Sequence, residues 1–374
     1  MQFISNWISK NKICYLDVAD SQITFTRKES FMSENFQIPA GTSVLVTGAT
    51  GFTGSVLVQK LVKGGIKVSV IARPSSKTDH LSNLPIKWYR GHVFDPETVK
   101  SACSGVQYVF HIAAAFREAR YDDEYYYNVH VKSTQLLAQE VLQNPEFKRF
   151  IHISTVGVHG HIENPPANED SSFNPGDIYQ KTKAEADIWI RNFAKERDLS
   201  LTVIRPAAIY GPGDRRLLKL FRAVNRGIFP ILGYGKCLYH LIHVEDLTNV
   251  MMLAAVHPRA EGQVFIAGNS EPIALTEMVR IIADELGSKP RIIRLPVAPF
   301  FVIADICESL CRPLGIEPPI YRRRVAFFTK DRAFDTSKLR NILGYRYVFT
   351  NEEGLRQTAR WYVQQGWIKA RVHK

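Results

Sequence analysis

Residues 44–54 read Val-Leu-Val-Thr-Gly-Ala-Thr-Gly-Phe-Thr-Gly, and this stretch decides the fold. Val44-Leu45-Val46 is a short apolar run of the kind buried on both faces of a parallel sheet. Glycines follow at Gly48, Gly51 and Gly54. Ser55–Val62 then reads as a helix with Val56, Leu57, Leu61 and Val62 apolar, and Gly64-Gly65 ends it. Lys67–Ile71 is a second strand. Strand, glycine turn, helix and strand within about 30 residues form the context that makes a glycine triplet informative. Gly48 permits the tight turn, Gly51 lets backbone approach a pyrophosphate, and Gly54 lets helix and strand pack closely. An anion there rests on a helix N-terminus, where unpaired amides and the helix dipole favour it. The expected cofactor contacts of the turn are Gly48, Thr50, Gly51, Phe52, Thr53 and Gly54.

The second strand ends in Ala72-Arg73-Pro74-Ser75-Ser76. An NAD site usually places Asp or Glu near this point, on the ribose 2′-hydroxyl. Arg73 stands there instead. A guanidinium suits a 2′-phosphate, so NADP(H) is favoured, with NAD(H) possible if Arg73 only stacks on adenine.

Strands are expected at Lys87–Arg90, Val106–His111 and Phe150–Ser154, with helices at Pro96–Ala102 and Val129–Gln143. Repeated βα units imply an α/β fold, a doubly wound parallel sheet of Rossmann type, with ligands beyond the carboxyl ends of the strands. Strand four ends in His111-Ile112-Ala113-Ala114-Ala115, small residues that leave room for a flat cofactor. Strand five ends in Ser154-Thr155. Tyr179-Gln-Lys-Thr-Lys183 opens a further helix, and Tyr179 and Lys183, four apart, share one face. A phenol is a weak acid–base group at neutral pH, and an adjacent ammonium favours its ionised form. Tyr179 as proton carrier, Lys183 as its modulator and ribose anchor, and Thr155 as holder of the substrate oxygen suit interconversion of an alcohol and a ketone.

The 374 residues fit two domains, or one α/β unit with a smaller lobe. Apolar residues are 45% and charged residues 22%, which excludes a wholly disordered or fibrous chain. Lys+Arg 48 against Asp+Glu 36 gives +12, compatible with anionic partners or simply a basic surface. Five scattered cysteines without a CxxC pair suggest a reducing, cytoplasmic setting, with neither disulfide framework nor structural zinc. His152, His159, His161, His240 and His243 lack metal-ligand spacing, so no metal is expected. The run Arg322-Arg323-Arg324 has no nucleic-acid-binding fold or aromatic platform beside it, and no nucleic-acid partner is expected. Residues 1–31 carry no secretory signal, and Met32 precedes the first strand closely. A chain beginning at Met32 is expected to fold and act normally.

These residues resemble the extended short-chain dehydrogenase/reductase family, also called the NAD-dependent epimerase/dehydratase family, from about Thr42 to Trp367. The matching motifs are TGATGFTG (47–54), HIAA (111–114), STVGVHG (154–160), YQKTK (179–183), RPAAIYGPGD (205–214) and HVED (243–246). The resemblance implies Thr155 as the catalytic hydroxyl, with Ser154 as fallback. It places Pro206 and Ile209 beside the nicotinamide half. Asn128 takes a structural role, with a proton relay as a further option. Two positions depart from the pattern. Lys132 stands where glycine is usual, and His92 stands where an adenine-contacting Asp is usual, leaving the Val93 backbone for that contact.

Within the family, the C-terminal third is similar to the 3β-hydroxysteroid and sterol-4α-carboxylate dehydrogenase branch, with dihydroflavonol reductase-like enzymes as neighbours. Nucleotide-sugar members usually carry Arg and Asp where this chain has Tyr239 and His240, and Lys236 is the cation left in that segment. Loss of a bidentate phosphate grip suggests a less anionic, apolar substrate. Tyr125–Tyr127 either lines the substrate cleft or simply packs. Leu295–Leu310 is mostly apolar but too short and acidic to span a membrane. It is a buried core helix, a cover over an apolar pocket, or an interfacial helix giving peripheral membrane association beside Arg322–Arg324.

The expected layout is an extension at 1–40, a dinucleotide-binding core at 41–205 and 241–268, and a substrate-binding lobe at 206–240 and 269–374. The leading expectation is a dehydrogenase or reductase of a steroid- or terpenoid-like ring compound. A nucleotide-sugar epimerase or dehydratase with tightly held NAD, and a non-catalytic NADP-binding scaffold, are the alternatives. A homodimer through the Tyr179 helix is possible.

Overall fold

The run expected to be buried on both faces is so: in β1 (Ser43–Thr47) Val44, Leu45 and Val46 have no exposed surface. The structure is a computed structural model and describes residues 36–115, 122–311, 318–320, 322, 325 and 329–369. The expectation for residues 1–31 lies outside them. β1 is central in a seven-stranded parallel sheet. It pairs with β2 (Lys67–Ala72) and β4 (Tyr108–His111), and the sheet's other strands are β3 (Ile86–Arg90), β5 (Arg149–Ile153), β6 (Leu201–Pro206) and, at the far edge, β11 (Val264–Ala267). The spatial order is β11-β6-β5-β4-β1-β2-β3. Strand order reverses at β1 and β4, so a crevice opens beyond their carboxyl ends. The architecture is the doubly wound α/β fold that the sequence implies.

Alternation along each strand feeds two apolar layers. On one face Val44 and Val46 of β1 and Phe110 of β4 meet α1 (Phe52–Lys63) through Leu57, Val58 and Leu61, and α7 (Val244–Val256) through Leu247, Val250 and Met251. On the other, Leu45, Val109 and Phe150 meet α2 (Pro96–Cys103) and α4 (Ser133–Val141) through Val99, Leu137 and Val141. Ile190 of α5 (Ile178–Arg197) closes that layer. A Leu buried this way contributes roughly 1.5–3 kcal/mol.

A separate apolar cluster is built from later segments. It joins Phe221 and Val224 of α6 (Leu218–Asn225), Phe229 and Ile231 of β8 (Ile228–Leu232), Met278 and Ile282 of α8 (Leu275–Leu286), and Leu355 and Tyr362 of α11 (Asn351–Gln364). Short strand pairs form outside the main sheet, and the first of them contributes to both apolar clusters. β7 (Ala208–Tyr210) pairs with β10 (Leu241–His243), β9 (Leu238–Tyr239) with β12 (Ile273–Ala274), and β8 with β13 (Arg291–Leu295).

The segment expected as a helix over Val129–Gln143 is longer and interrupted. α3 (Asp123–Tyr127) runs through a π-helical turn at Asn128–Lys132 into α4. The stretch Leu295–Leu310 also divides. Leu295 ends β13, and α9 (Ala298–Cys311) is not a core helix, since Ala304 is its one buried residue. No helix among the described residues is long and apolar enough to cross a membrane.

Candidate active site

A cavity of about 1210 Å³ opens at the strand-order reversal, and every residue expected from sequence to touch cofactor or substrate lines it. The glycine turn supplies Gly48, Thr50, Gly51, Phe52, Thr53 and Gly54; β2 supplies Arg73; the turn after β3 supplies Val93. Ala113 and Ala114 follow β4, Thr155 follows β5, Tyr179 and Lys183 come from α5, and Pro206 and Ile209 from the β6–β7 segment.

The turn fits a dinucleotide on steric grounds. Gly48 has φ +71°, and a Cβ there would lie 2.8 Å from the Ala113 nitrogen. A Cβ on Gly54 would overlap the Gly48 carbonyl oxygen, so helix and turn approach as closely as they do only without one. Gly51 caps α1 with no side-chain hydrogen bond, and the first turn of that helix carries no acidic residue. Its leading amides and positive dipole end are thus directed at an anion.

His111 fixes the β4 edge of the cavity. The Thr47 hydroxyl accepts from the backbone N–H groups of Ile112 (3.1 Å) and Ala113 (3.2 Å), so its own proton goes to His111 Nδ1 at 2.8 Å. The other ring nitrogen then donates to Thr134 and Ser133, both at 3.1 Å. Burial holds the imidazole well below its ordinary pKa, with His152, Lys183 and His130 acting in the same direction, so it stays neutral.

α5 carries Tyr179 and Lys183. Asp177 caps it by accepting from Gln180 N at 2.8 Å, and Tyr179 occupies its first turn, where the helix dipole favours negative charge. Lys183 is buried one turn later, and its ammonium donates to the Ile153 carbonyl at 2.8 Å. Burial pulls its pKa down to about 8, and Asp187 one turn further opposes that shift. Asp187 is gripped by Arg205 through Nε–Oδ2 at 2.9 Å and Nη2–Oδ1 at 3.0 Å, both groups being buried. Burial opposes the Asp187 charge, but Arg205 outweighs it and holds the carboxyl below its usual range. The Ser154 hydroxyl is buried beside Asp187 and makes no hydrogen bond of good geometry. Thr155 Oγ1 accepts from Gly157 N at 3.0 Å, which leaves its proton to donate into the cavity.

Sequence reading missed His130. Its Nε2 accepts from Ala115 N at 3.0 Å, so Nδ1 carries the proton and donates to Thr182 Oγ1 at 2.8 Å. Thr182 passes its own proton to the Ile178 carbonyl at 2.8 Å. The ring stands edge-on to Tyr179, 5.4 Å between centroids and 82° between planes. Burial, reinforced by Lys183, keeps this histidine neutral as well. It therefore ties the Tyr179 helix to the end of β4.

Tyr125 belongs to the Arg73 end of the cavity. Arg73 Nη1 donates to its hydroxyl at 3.0 Å, and the ring packs edge-on against Phe94. Ser76, His92 and Val93 line the same end. The opposite end is walled by Leu220, Phe229, Leu241, Leu275, Met278 and Phe334. Arg332 joins this wall with its guanidinium over the Tyr239 ring at 5.7 Å, and Lys219 lies at the rim. Segment 233–241 alone gave no sign of Arg332, which lies 93 residues beyond Tyr239 and reaches it through a backbone bridge.

Comparison with known proteins agrees with this geometry. Residues 44–268 match the model of the NAD dependent epimerase/dehydratase family. The chain is 28% identical over 345 residues to 3beta-hydroxysteroid-dehydrogenase/decarboxylase isoform 2 of Arabidopsis thaliana, covering 84% of this chain and 61% of that longer protein. It is 27% identical over 330 residues to 2-alkyl-3-oxoalkanoate reductase of Shewanella oneidensis, covering 83% and 84%. Its fold is similar to that of UDP-glucose 4-epimerase from Thermotoga maritima, with a TM-score of 0.70, 23% identity, and coverage of 87% and 99%. The chain belongs to the NAD dependent epimerase/dehydratase family and is an NAD(P)-dependent enzyme of the extended short-chain dehydrogenase/reductase type.

Proposed function

We propose that the protein interconverts a secondary alcohol and a ketone on a largely apolar substrate, with NADP(H) preferred. The observation that carries this reading is one cavity in which Thr155, Tyr179 and Lys183 face the glycine turn on one side and an apolar wall on the other. The dinucleotide core is then 41–205 with 241–268, and the later apolar cluster is the substrate lobe. Bound nicotinamide supplies or accepts the hydride. Tyr179 moves the proton to or from the substrate oxygen, Thr155 donates to that oxygen, and the Lys183 charge and the α5 N-terminus favour negative charge on the phenol. Pro206, Ile209, Ala113 and Ala114 supply apolar walls for the flat ring. The test is turnover of sterols, 3-hydroxy acids and flavonoids with both cofactors, followed by nicotinamide absorbance. No turnover on any of them rejects the reading.

Arg73 and Ser76 at the adenosine end support the cofactor preference. Arg73→Ala is expected to raise KM for NADP(H) by about 10- to 100-fold, the loss of a charge-assisted hydrogen bond, and to change KM for NAD(H) less than threefold. Steady-state kinetics with both cofactors checks this. Equal losses would show that Arg73 recognises something other than a 2′-phosphate.

Arg332 favours a second reading. A guanidinium in an apolar wall pairs with an anionic substituent, whether a carboxylate on the apolar substrate or the phosphates of a nucleotide sugar. Arg332→Gln is expected to raise KM for an anionic substrate by about 10-fold or more with kcat little changed, and to leave a neutral substrate unaffected. Retained NAD together with UDP-sugar turnover would favour an epimerase or dehydratase.

A further inference from the structure

Of the run Tyr125–Tyr127, Tyr125 alone is among the residues lining the cavity. Its contacts tie three chain segments together. Arg73 Nη1 donates to its hydroxyl at 3.0 Å, its ring stands edge-on to Phe94 at 6.0 Å, and Phe94 is backed in turn by the His92 ring at 4.8 Å. Arg73 follows β2 and Phe94 follows β3, whereas Tyr125 comes from the chain beyond β4. β2 and β4 flank β1 on opposite sides, so the bond to Arg73 joins chain from the two sides of the strand that leads into the glycine turn.

The backbone of each partner is fixed on its own side. Asp122 caps α3 by accepting from Tyr125 N at 2.8 Å, which sets the start of the helix that carries the ring. Val129, one turn on, lines the same cavity. Arg73 leaves a ladder in which Ala72 opposes Arg90, and its carbonyl closes a turn with Ser76 N at 3.0 Å. These contacts do not fix the long arginine side chain, which has many rotamers to lose on binding. A hydrogen bond to a phenol whose ring is already packed removes part of that freedom beforehand, and affinity gained this way needs no new contact to the ligand. A guanidinium carries five N–H donors, so a bond through Nη1 does not exhaust its fork.

We infer that Tyr125 is a positioning residue for cofactor choice: its hydroxyl holds the Arg73 guanidinium in the orientation that grips a ribose 2′-phosphate, so it acts on the preference for NADP(H) and not on the substrate. The inference rests on the reading of Arg73 given above. A phosphate accepts two parallel N–H bonds from one planar edge of a guanidinium, and that grip depends on the plane being set correctly. A phenol suits the task better than a carboxylate. Asp or Glu in its place would orient Arg73 but would also cancel its charge and repel the phosphate. The neutral hydroxyl orients the cation without cancelling it.

The test is equilibrium titration of the full chain with NADPH and with NADH, for wild type, Tyr125→Phe, Arg73→Ala and the double variant. Tyr125→Phe keeps the ring against Phe94 and removes only the hydroxyl. It is expected to raise Kd for NADPH by about 5- to 10-fold, less than removal of the guanidinium itself, and Kd for NADH by less than about twofold. On the Arg73→Ala background the same change is expected to affect neither cofactor, because the group it positions is gone. A residue that only packs against Phe94 would show no such coupling. An unchanged Kd for NADPH in a folded Tyr125→Phe protein overturns the proposal, as does an equal loss for NADH or the same loss without Arg73. A rise in substrate KM in place of the cofactor effect also overturns it and returns Tyr125 to the substrate cleft. If Arg73→Ala weakens both cofactors equally, the reading of Arg73 falls and the positioning role with it. If Arg73→Ala weakens NADPH alone and Tyr125→Phe does not, only the positioning role falls.

Discussion

Tyr179→Phe is expected to lower kcat by about 10²- to 10⁴-fold, the contribution of a positioned general acid–base, with cofactor affinity and fold unchanged. The ring keeps its edge-on contact with His130, which needs no hydroxyl. Tyr179 is only half buried, so loss of one oxygen leaves no core cavity. A purely structural role would move stability and leave turnover intact. Stopped-flow hydride transfer together with cofactor titration separates the two cases, and normal turnover would reject the proton-transfer assignment. The same geometry predicts a pH limit. The Lys183 pKa is pulled down to about 8, so the ammonium is present below that pH and is lost as pH rises through it. kcat/KM for the free enzyme is expected to fall on that alkaline side. The stability linkage has the opposite sign. A lysine whose folded pKa is depressed destabilises the fold while charged, and that penalty is relieved as pH rises from about 8 toward the unfolded value of about 10.4.

That the glycine turn, Arg73, Tyr179 and Lys183 line one cavity was legible in the sequence because each placement depends on local spacing. A Cβ at Gly54 meets backbone only six residues away, and Tyr179 and Lys183 are one helical turn apart. His130 was not legible, because its partners Ala115 and Thr182 lie 15 and 52 residues away and neither pairing follows a periodic pattern. Arg332 escaped notice for the same reason. α9 misled in another way. Its composition suits a core helix, but hydropathy records what a side chain prefers and not whether a second element covers it. Tyr125 shows the limit of proximity in sequence. It follows the strand that leads into Ala113 and Ala114, but its hydroxyl accepts from Arg73 at the end of β2.

Asp187 is where stability and chemistry are coupled most tightly. Asp187→Ala leaves Arg205 buried without its bidentate partner, and an uncompensated buried charge of this kind costs about 3–5 kcal/mol. Arg205 keeps the Glu169 carbonyl at 2.7 Å, but a neutral acceptor offsets only part of that loss. Urea unfolding is expected to show the midpoint falling with the m-value unchanged. Asp187→Asn keeps the shape and one acceptor, and so separates the two roles. Asp187 is the one group that raises the Lys183 pKa against burial. Its neutralisation is expected to move the alkaline limb of kcat/KM to lower pH, so that activity falls near neutrality while retained ellipticity shows an intact fold. An unshifted limb in a folded Asp187→Asn protein would mean that the Arg205 pair only braces α5 against β6. A shifted limb would show that the buried ion pair sets the charge of the lysine on which the phenol depends.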